Sequence, residues 1–270
     1  GEKGTVKNLK LTEVEFVFKE WLAGGIAAEN RGTISGCQIE GNILFDCAGF
    51  QLGGLAGSNK GTIEESSLNG KVTFSAATGA SSGYYVGGLV GNNWGNISKC
   101  FIEGQIVSDS NASTGGIVGW SEPDSVVEQC YNMAVIDGAP SGNTCTGGIG
   151  VMMAGTTANC FNYGVIRRPA GANGAVYVWL NENGKPMGTV SNCYYLDSSS
   201  AKGGYADQSQ IGKMTADEFA SGKTAYYLNT NGGNGASARA WSQGEGAPIF
   251  ADEENKAVIK VDISQGNRDY

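Results

Sequence analysis

The chain has 270 residues, a formal net charge of −8, 44 glycines, five prolines, no histidine and 16% charged residues. That balance fits a turn-dense β protein and excludes a helical enzyme, a Pro-rich linker or a disordered tail. Its acidity argues against nucleic acid or an anionic membrane surface as partner, since both need a basic face, and Arg167-Arg168 is the only adjacent basic pair.

In chain order, residues 1 to 23 hold a first, partial unit marked by Val6 and Leu9. Val14 to Trp21 alternates apolar and charged side chains, which predicts a strand at an open N-terminal end, with Trp21 packing over the first rung. From there one phrase returns. Gly24-Gly25-Ile26, Gly53-Gly54-Leu55, Gly87-Gly88-Leu89, Gly115-Gly116-Ile117 and Gly147-Gly148-Ile149 open five copies. A β-branched residue, a small residue and then usually a Gly follow each, as in Ile34/Cys37/Gly41 and Ile97/Cys100/Gly104. A last partial copy near Asn173 to Cys193 lacks the Gly-Gly pair and carries Val176 to Leu180 instead. The small-residue position steps through Leu9, Cys37, Ser66, Cys100, Cys130, Cys160 and Cys193. A period near 30 residues reads as a stacked architecture.

The segments between the phrases are short, β-branched and bounded by Gly, Asn and Ser, without a helical stripe, so the stacked unit is made of strands. The predicted fold is all-β: a right-handed parallel β-helix, or β-solenoid, of about seven coils over residues 1 to 198, with like residues stacked at a rise of about 4.8 Å. Glycines at fixed places are expected at corners, for positive φ or close backbone approach. Variation concentrates in the turns, as in the polar linker Ser75 to Val86 and the loop Gly138 to Thr146. Beyond residue 198 the repeat stops, and residues 199 to 270 read as a small α+β capping region. Thr215 and Glu218 form a capping box, Gly222 breaks the helix, Lys223 to Asn229 makes another turn, and Ala257 to Ile263 alternates as a strand. Phe219, Tyr226, Leu228, Trp241 and Phe250 are too few for a core of their own and are expected to dock on the final coil.

Five of the seven cysteines, Cys37, Cys100, Cys130, Cys160 and Cys193, share one repeat position with Ser66. In-register stacking holds side chains about 4.8 Å apart, farther than the ~3.5–4.5 Å between Cβ atoms of a disulfide. A buried column of reduced thiols is therefore expected, in which Cys130→Ser would cost about 1 kcal/mol or more through an unpartnered hydroxyl. Cys47 and Cys145 lie off this column, three coils apart, and are not expected to pair. With no His and no Cys-x-x-Cys, no zinc or other metal site and no cofactor is expected.

The phrase VGGLVGNNWGNISKCFIEGQI, Val86 to Ile106, resembles the GLUG repeat of bacterial cell-surface and secreted proteins, among them some immunoglobulin A peptidases and haemagglutinin-like adhesins. The resemblance runs from residue 4 to about 198; the copies from Gly115 and Gly147 lose its Asn-x-Gly turn. It implies a solenoid and an extracellular or cell-surface address, and places catalysis in such peptidases on a separate domain. Tails like Phe219 to Asn229 followed by Trp-x-Gln and Pro-Ile-Phe commonly trail such arrays. An export signal or anchor is expected outside these residues, because the opening lacks the basic, apolar and small-residue regions of a signal peptide.

No catalytic group is nominated. Without His there is no Ser-His-acid arrangement, and the one pair of carboxylates at a shared position, Glu40 and Glu103, is interrupted by Asn69. Asn30, Asn59, Asn92 and Asn93 lack the carboxylates of a calcium loop and read as turn residues or an amide ladder. The ligand-binding candidates are aromatic: Trp94, Trp120 and Trp179, with Tyr84 and Tyr85, and Met152 at the position equivalent to Trp120. On one edge they would form a strip for sugar rings. The expected protein is a monomeric, non-catalytic adhesin or ligand-presenting scaffold that meets a host glycan or protein at the cell surface, with no transmembrane segment in these residues. Competing expectations are a purely structural stalk and a glycan-active β-helix enzyme.

Overall fold

The computed structural model describes residues 4–46, 50–75, 84–108, 112–138, 144–167, 172–179, 181–182, 185–186, 188–204, 211–231, 240–252, 260–262 and 267–269. Residue 47 and the linker residues 76–83 and 139–143 lie outside them, as do residue 180 and residues 257–259 and 263 of the expected terminal strand.

Each turn of the chain contributes to four parallel sheets. The first has seven strands: Thr5–Lys7, Thr33–Ser35, Thr62–Glu64, Asn96–Ser98, Val126–Glu128, Thr156–Ala158 and Thr189–Ser191. The second begins with Lys10–Phe18, Gln38–Asp46, Ser67–Ser75 and Phe101–Ser108, continues through shorter pieces, and ends with Cys193–Leu196 and Ile211–Met214. The third (Leu22–Gly24, Gln51–Gly53, Tyr85–Gly87, Ser113–Gly115, Thr146–Gly147, Asn173–Gly174) and the fourth (Ala27–Asn30, Ala56–Asn59, Val90–Asn93, Val118–Ser121, Gly150–Met153, Tyr177–Trp179) have six strands each. The result is a parallel β-solenoid of about six turns with seven rungs in its first sheet, close to the seven coils expected.

The registers reproduce the repeat read from the sequence: Ile34 pairs with Ile63, Gly53 with Gly87, and Val72 with Ile106. The last copy keeps its first glycine, since Gly147 pairs with Gly174, and Ala175 stands where the second was expected. The strand from Lys10 ends at Phe18, with a bulge between Leu11 and Val14, so Trp21 falls outside it. Columns of Ile, Leu and Val run through the interior and fill it.

The Gly-Gly pair serves close approach. A methyl on Gly87 would overlap the carbonyl of Val90, and one on Gly88 would press on the side chains of Ile102 and Ile106. Positive φ occurs elsewhere. Asn8, Gly36, Glu65, Lys99, Gln129, Asn159 and Asn192, at φ 47–62°, each turn the corner between the first and second sheets. Only one is glycine, so bulky side chains accept a left-handed backbone here, at a cost of about 1–2 kcal/mol per residue. The reward is directional: the next residue, Leu9, Cys37, Ser66, Cys100, Cys130, Cys160 or Cys193, enters the core.

The column from Cys37 to Cys193 is fully buried and its thiols are free. Each donates to the carbonyl two residues back, Cys100 to Ser98 at 3.2 Å, Cys130 to Glu128 at 3.1 Å and Cys193 to Ser191 at 3.3 Å. Burial pushes the Cys130 and Cys193 thiols well up, so they remain neutral donors. Ser66 makes the same bond to Glu64 at 2.8 Å. The hydroxyl of a substituted serine therefore has a partner, and the cost expected from the sequence falls.

The tail takes its expected place only in part: Phe219 and Leu228 share a buried cluster with Tyr194 and Leu196 of the final coil. Ile211–Met214 does extend the second sheet by one rung on Cys193–Leu196. The capping box of Thr215 and Glu218 starts a helix over Ala216–Ala220, and Gly222, at φ +81°, separates it from a second over Lys223–Thr230. But Trp241 and Phe250 lie 6.1 and 5.3 Å from Tyr131, on the flank of the solenoid rather than on its final coil. The physical reason is an outward apolar column, in which Phe101, Tyr131 and Phe161 stack at 4.7 and 5.0 Å and need cover. Asn229 fixes Trp241 over it, donating its side-chain amide to the main-chain carbonyl of Trp241 and accepting from the main-chain N–H of Trp241.

Two stability measurements follow from these corners. Cys130→Ser is expected to cost less than about 1 kcal/mol by urea unfolding, because the carbonyl of Glu128 keeps a donor. Lys99→Val is expected to be less stable than Lys99→Gly by about 1–2 kcal/mol, the cost of a side chain in the left-handed region. Equal midpoints for those two variants would mean that this corner is not left-handed.

Candidate functional site

Two aromatic rows run along the solenoid. The first consists of Trp21, Phe50 and Tyr84, each three residues before the first glycine of its copy. Trp21 and Phe50 meet edge-on at 6.1 Å, and Phe50 and Tyr84 at 4.0 Å. Trp21 is 66% exposed and Phe50 50%, so Trp21 does not fold over the first rung as the sequence led us to expect. The strand stops at Phe18, and Trp21 turns out to the start of the third sheet. Phe50 was missed, although an aromatic residue three places before Gly-Gly in three successive copies was the available signal.

The second row lies on the fourth sheet. Trp120 pairs with Met152 and Met152 with Trp179, so the three half-buried side chains sit on consecutive rungs, and Tyr85 meets Trp120 edge-on at 4.9 Å. On the other side of Trp120 the same column turns polar, through Asn92, Ser58 and Glu29. Ser58 Oγ, Asn92 Oδ1 and Trp120 Nε1 are buried and have no hydrogen-bond partner among the described residues. Asn92 donates its amide to Glu122 at 3.1 Å, while Lys60 and Arg31 hold the Glu29 carboxyl below its usual range.

Among the residues nominated from the sequence, the structure therefore brings Trp120, Trp179 and Tyr85 together and assigns Tyr84 to the other row. Trp94 stands apart. It is 51% exposed at a corner where its main-chain N–H donates to the carbonyl of Asn59. That corner holds the amide ladder, in which Asn30 donates to Asn59 and Asn59 to Asn93, both at 2.8 Å. The side-chain oxygens of Asn59 and Asn93 are thereby engaged by neighbouring amides.

Glu40, Asn69 and Glu103 are in register on the second sheet. Two rungs separate the carboxylates by about 9.6 Å, at the upper limit of catalytic pairs. Lys10 engages Glu40 at 3.1 Å. Among the described residues no three Cys, Asp or Glu side chains gather as metal ligands, and no helix is long and apolar enough to cross a membrane.

Residues 82–107 match the family model of the GLUG motif. No curated protein and no solved structure matches the chain. The matched segment contains Gly87-Gly88, Ile97 and Cys100, and its strands pair in register with the equivalent residues of the copies before and after it.

Proposed function

We propose that this GLUG-motif solenoid is a non-catalytic ligand-presenting scaffold, an adhesin of a secreted or surface-anchored bacterial protein, and that it binds glycans along the Trp120–Met152–Trp179 row. The observation that carries the reading is the register of that row. A solenoid repeats any outward residue at one rung per coil, so three polarisable side chains become a continuous ridge about 10 Å long. Apolar sugar faces suit such a ridge. The exposed Trp21 and Phe50 add a second ridge on the adjoining sheet.

A stalk without a ligand is the second reading, favoured by the uninterrupted columns of the interior. Affinity electrophoresis in gels cast with host or dietary polysaccharides separates the two. Trp120→Ala and Trp179→Ala are each expected to weaken retention about tenfold, as for the loss of a stacked ring. A wild-type protein that no polysaccharide retards would leave the stalk. New reducing ends or unsaturated products in the gel would overturn the non-catalytic reading.

A further inference from the structure

The docked tail does more than cover apolar surface. Where the hairpin of Trp241–Gln243 and Pro248–Phe250 reaches the corner between the first and second sheets, it leaves a cleft of about 190 Å³. Its lining comes from both partners: Glu65, Lys99 and Phe101 from the solenoid, Ala240, Phe250 and Ala251 from the tail. Phe101 is the last ring of the Phe161–Tyr131–Phe101 column; Ser67 takes its place on the next rung. The column therefore ends in the cleft, and Phe101 and Phe250 form its walls with centroids 6.2 Å apart and planes at 59°.

The rim is set by the backbone. Glu65 and Lys99 are left-handed corner residues on adjacent coils, which carries both side chains outward one rung apart. There Lys99 Nζ meets Glu65 Oε1 at 3.3 Å. A joined ammonium and carboxylate give the cleft a donor and an acceptor side by side with no net charge, which selects against a free anion or cation. Two vicinal hydroxyls complement that pair, one accepting from Nζ while the other donates to the carboxylate. The walls are apolar, and the volume is below the ~300–1,000 Å³ of drug-sized pockets, so the occupant is small and has one apolar face.

We infer that this cleft is a binding site for a single neutral pyranose residue of a glycan, built jointly by the tail and the solenoid. The inference rests on the glycan reading of the chain but concerns different residues from the tryptophan row, so the two can fail separately. The sugar's C–H face lies against Phe101 and Phe250, and its vicinal hydroxyls engage Lys99 and Glu65. Alanines at positions 240 and 251 leave room for the ring.

The test is NMR of the full chain labelled at its alanine methyls and indole N–H groups, titrated with methyl glucoside, galactoside and mannoside. At least one pyranoside is expected to shift the Ala240 and Ala251 methyls. Lys99→Met is expected to weaken that effect about tenfold by removing a charged hydrogen bond. Ala251→Phe, which fills the cleft from the tail side, is expected to abolish it while the Ala134 methyl inside the core keeps its native shift. Pyranosides that move the Trp120 and Trp179 indoles but neither methyl would overturn the cleft and leave the row. Shifts at the methyls alone would support the cleft and count against the row. Binding of N-acetylphenylalanine amide at the methyls, with no pyranoside effect, would overturn the sugar assignment.

Discussion

Hydrogen bonds that run from one rung to the next hold this molecule in register, and its other features depend on them. Backbone N–H groups of Leu55, Leu89, Ile117 and Ile149 each reach the carbonyl of the next coil at 2.8–3.1 Å. A one-residue slip between coils would turn core side chains to solvent, so the pattern of apolar residues and the ladder enforce one another. Polar side chains inside the corners follow the same rule. Asn30, Asn59 and Asn93 satisfy one another along the axis, and the Asn132 amide donates to Asn162 at 2.7 Å in a second ladder. Each such bond contributes only about 1 kcal/mol, but leaving a buried amide unpaired would cost more.

Register has a functional consequence. Whatever side chain points outward from one coil has a counterpart about 4.8 Å away on the next, so a binding surface is written by substituting a column rather than by shaping a pocket. Both aromatic rows arise in this way. The fourth-sheet column begins with Glu29 and Ser58, passes through Asn92 and ends with Trp120, Met152 and Trp179, which places a polar end and an aromatic end on one line. The tail adds concavity, which stacked coils lack, by laying Phe250 beside Phe101.

The repeat and its inward columns were legible because they recur: the Gly-Gly pairs, the Cys37 to Cys193 position and the Ile97 position return at a near-constant period, and the Gly and Ile positions pair in register. Left-handed corners were not, because Glu65, Lys99 and Gln129 carry no glycine or asparagine to announce them; tertiary stacking overrides their local preference. The tail's position was hidden for a different reason. Phe101, Tyr131 and Phe161 stand about 30 residues apart on separate strands, and only their superposition shows an apolar face large enough to require Trp241 and Phe250. Trp94 and Trp120 resembled one strip in the sequence, yet they fall two positions apart in the repeat and so in different columns.

Native-state hydrogen exchange of the inter-coil amides tests the register most directly. The account predicts that the amides of Leu89, Ile117 and Ile149 exchange only through global unfolding, with lower protection in the edge strands Leu22–Gly24 and Ala27–Asn30. Exchange of Leu89 and Ile117 at the rate of exposed loop amides would contradict an in-register stack, and with it both aromatic rows.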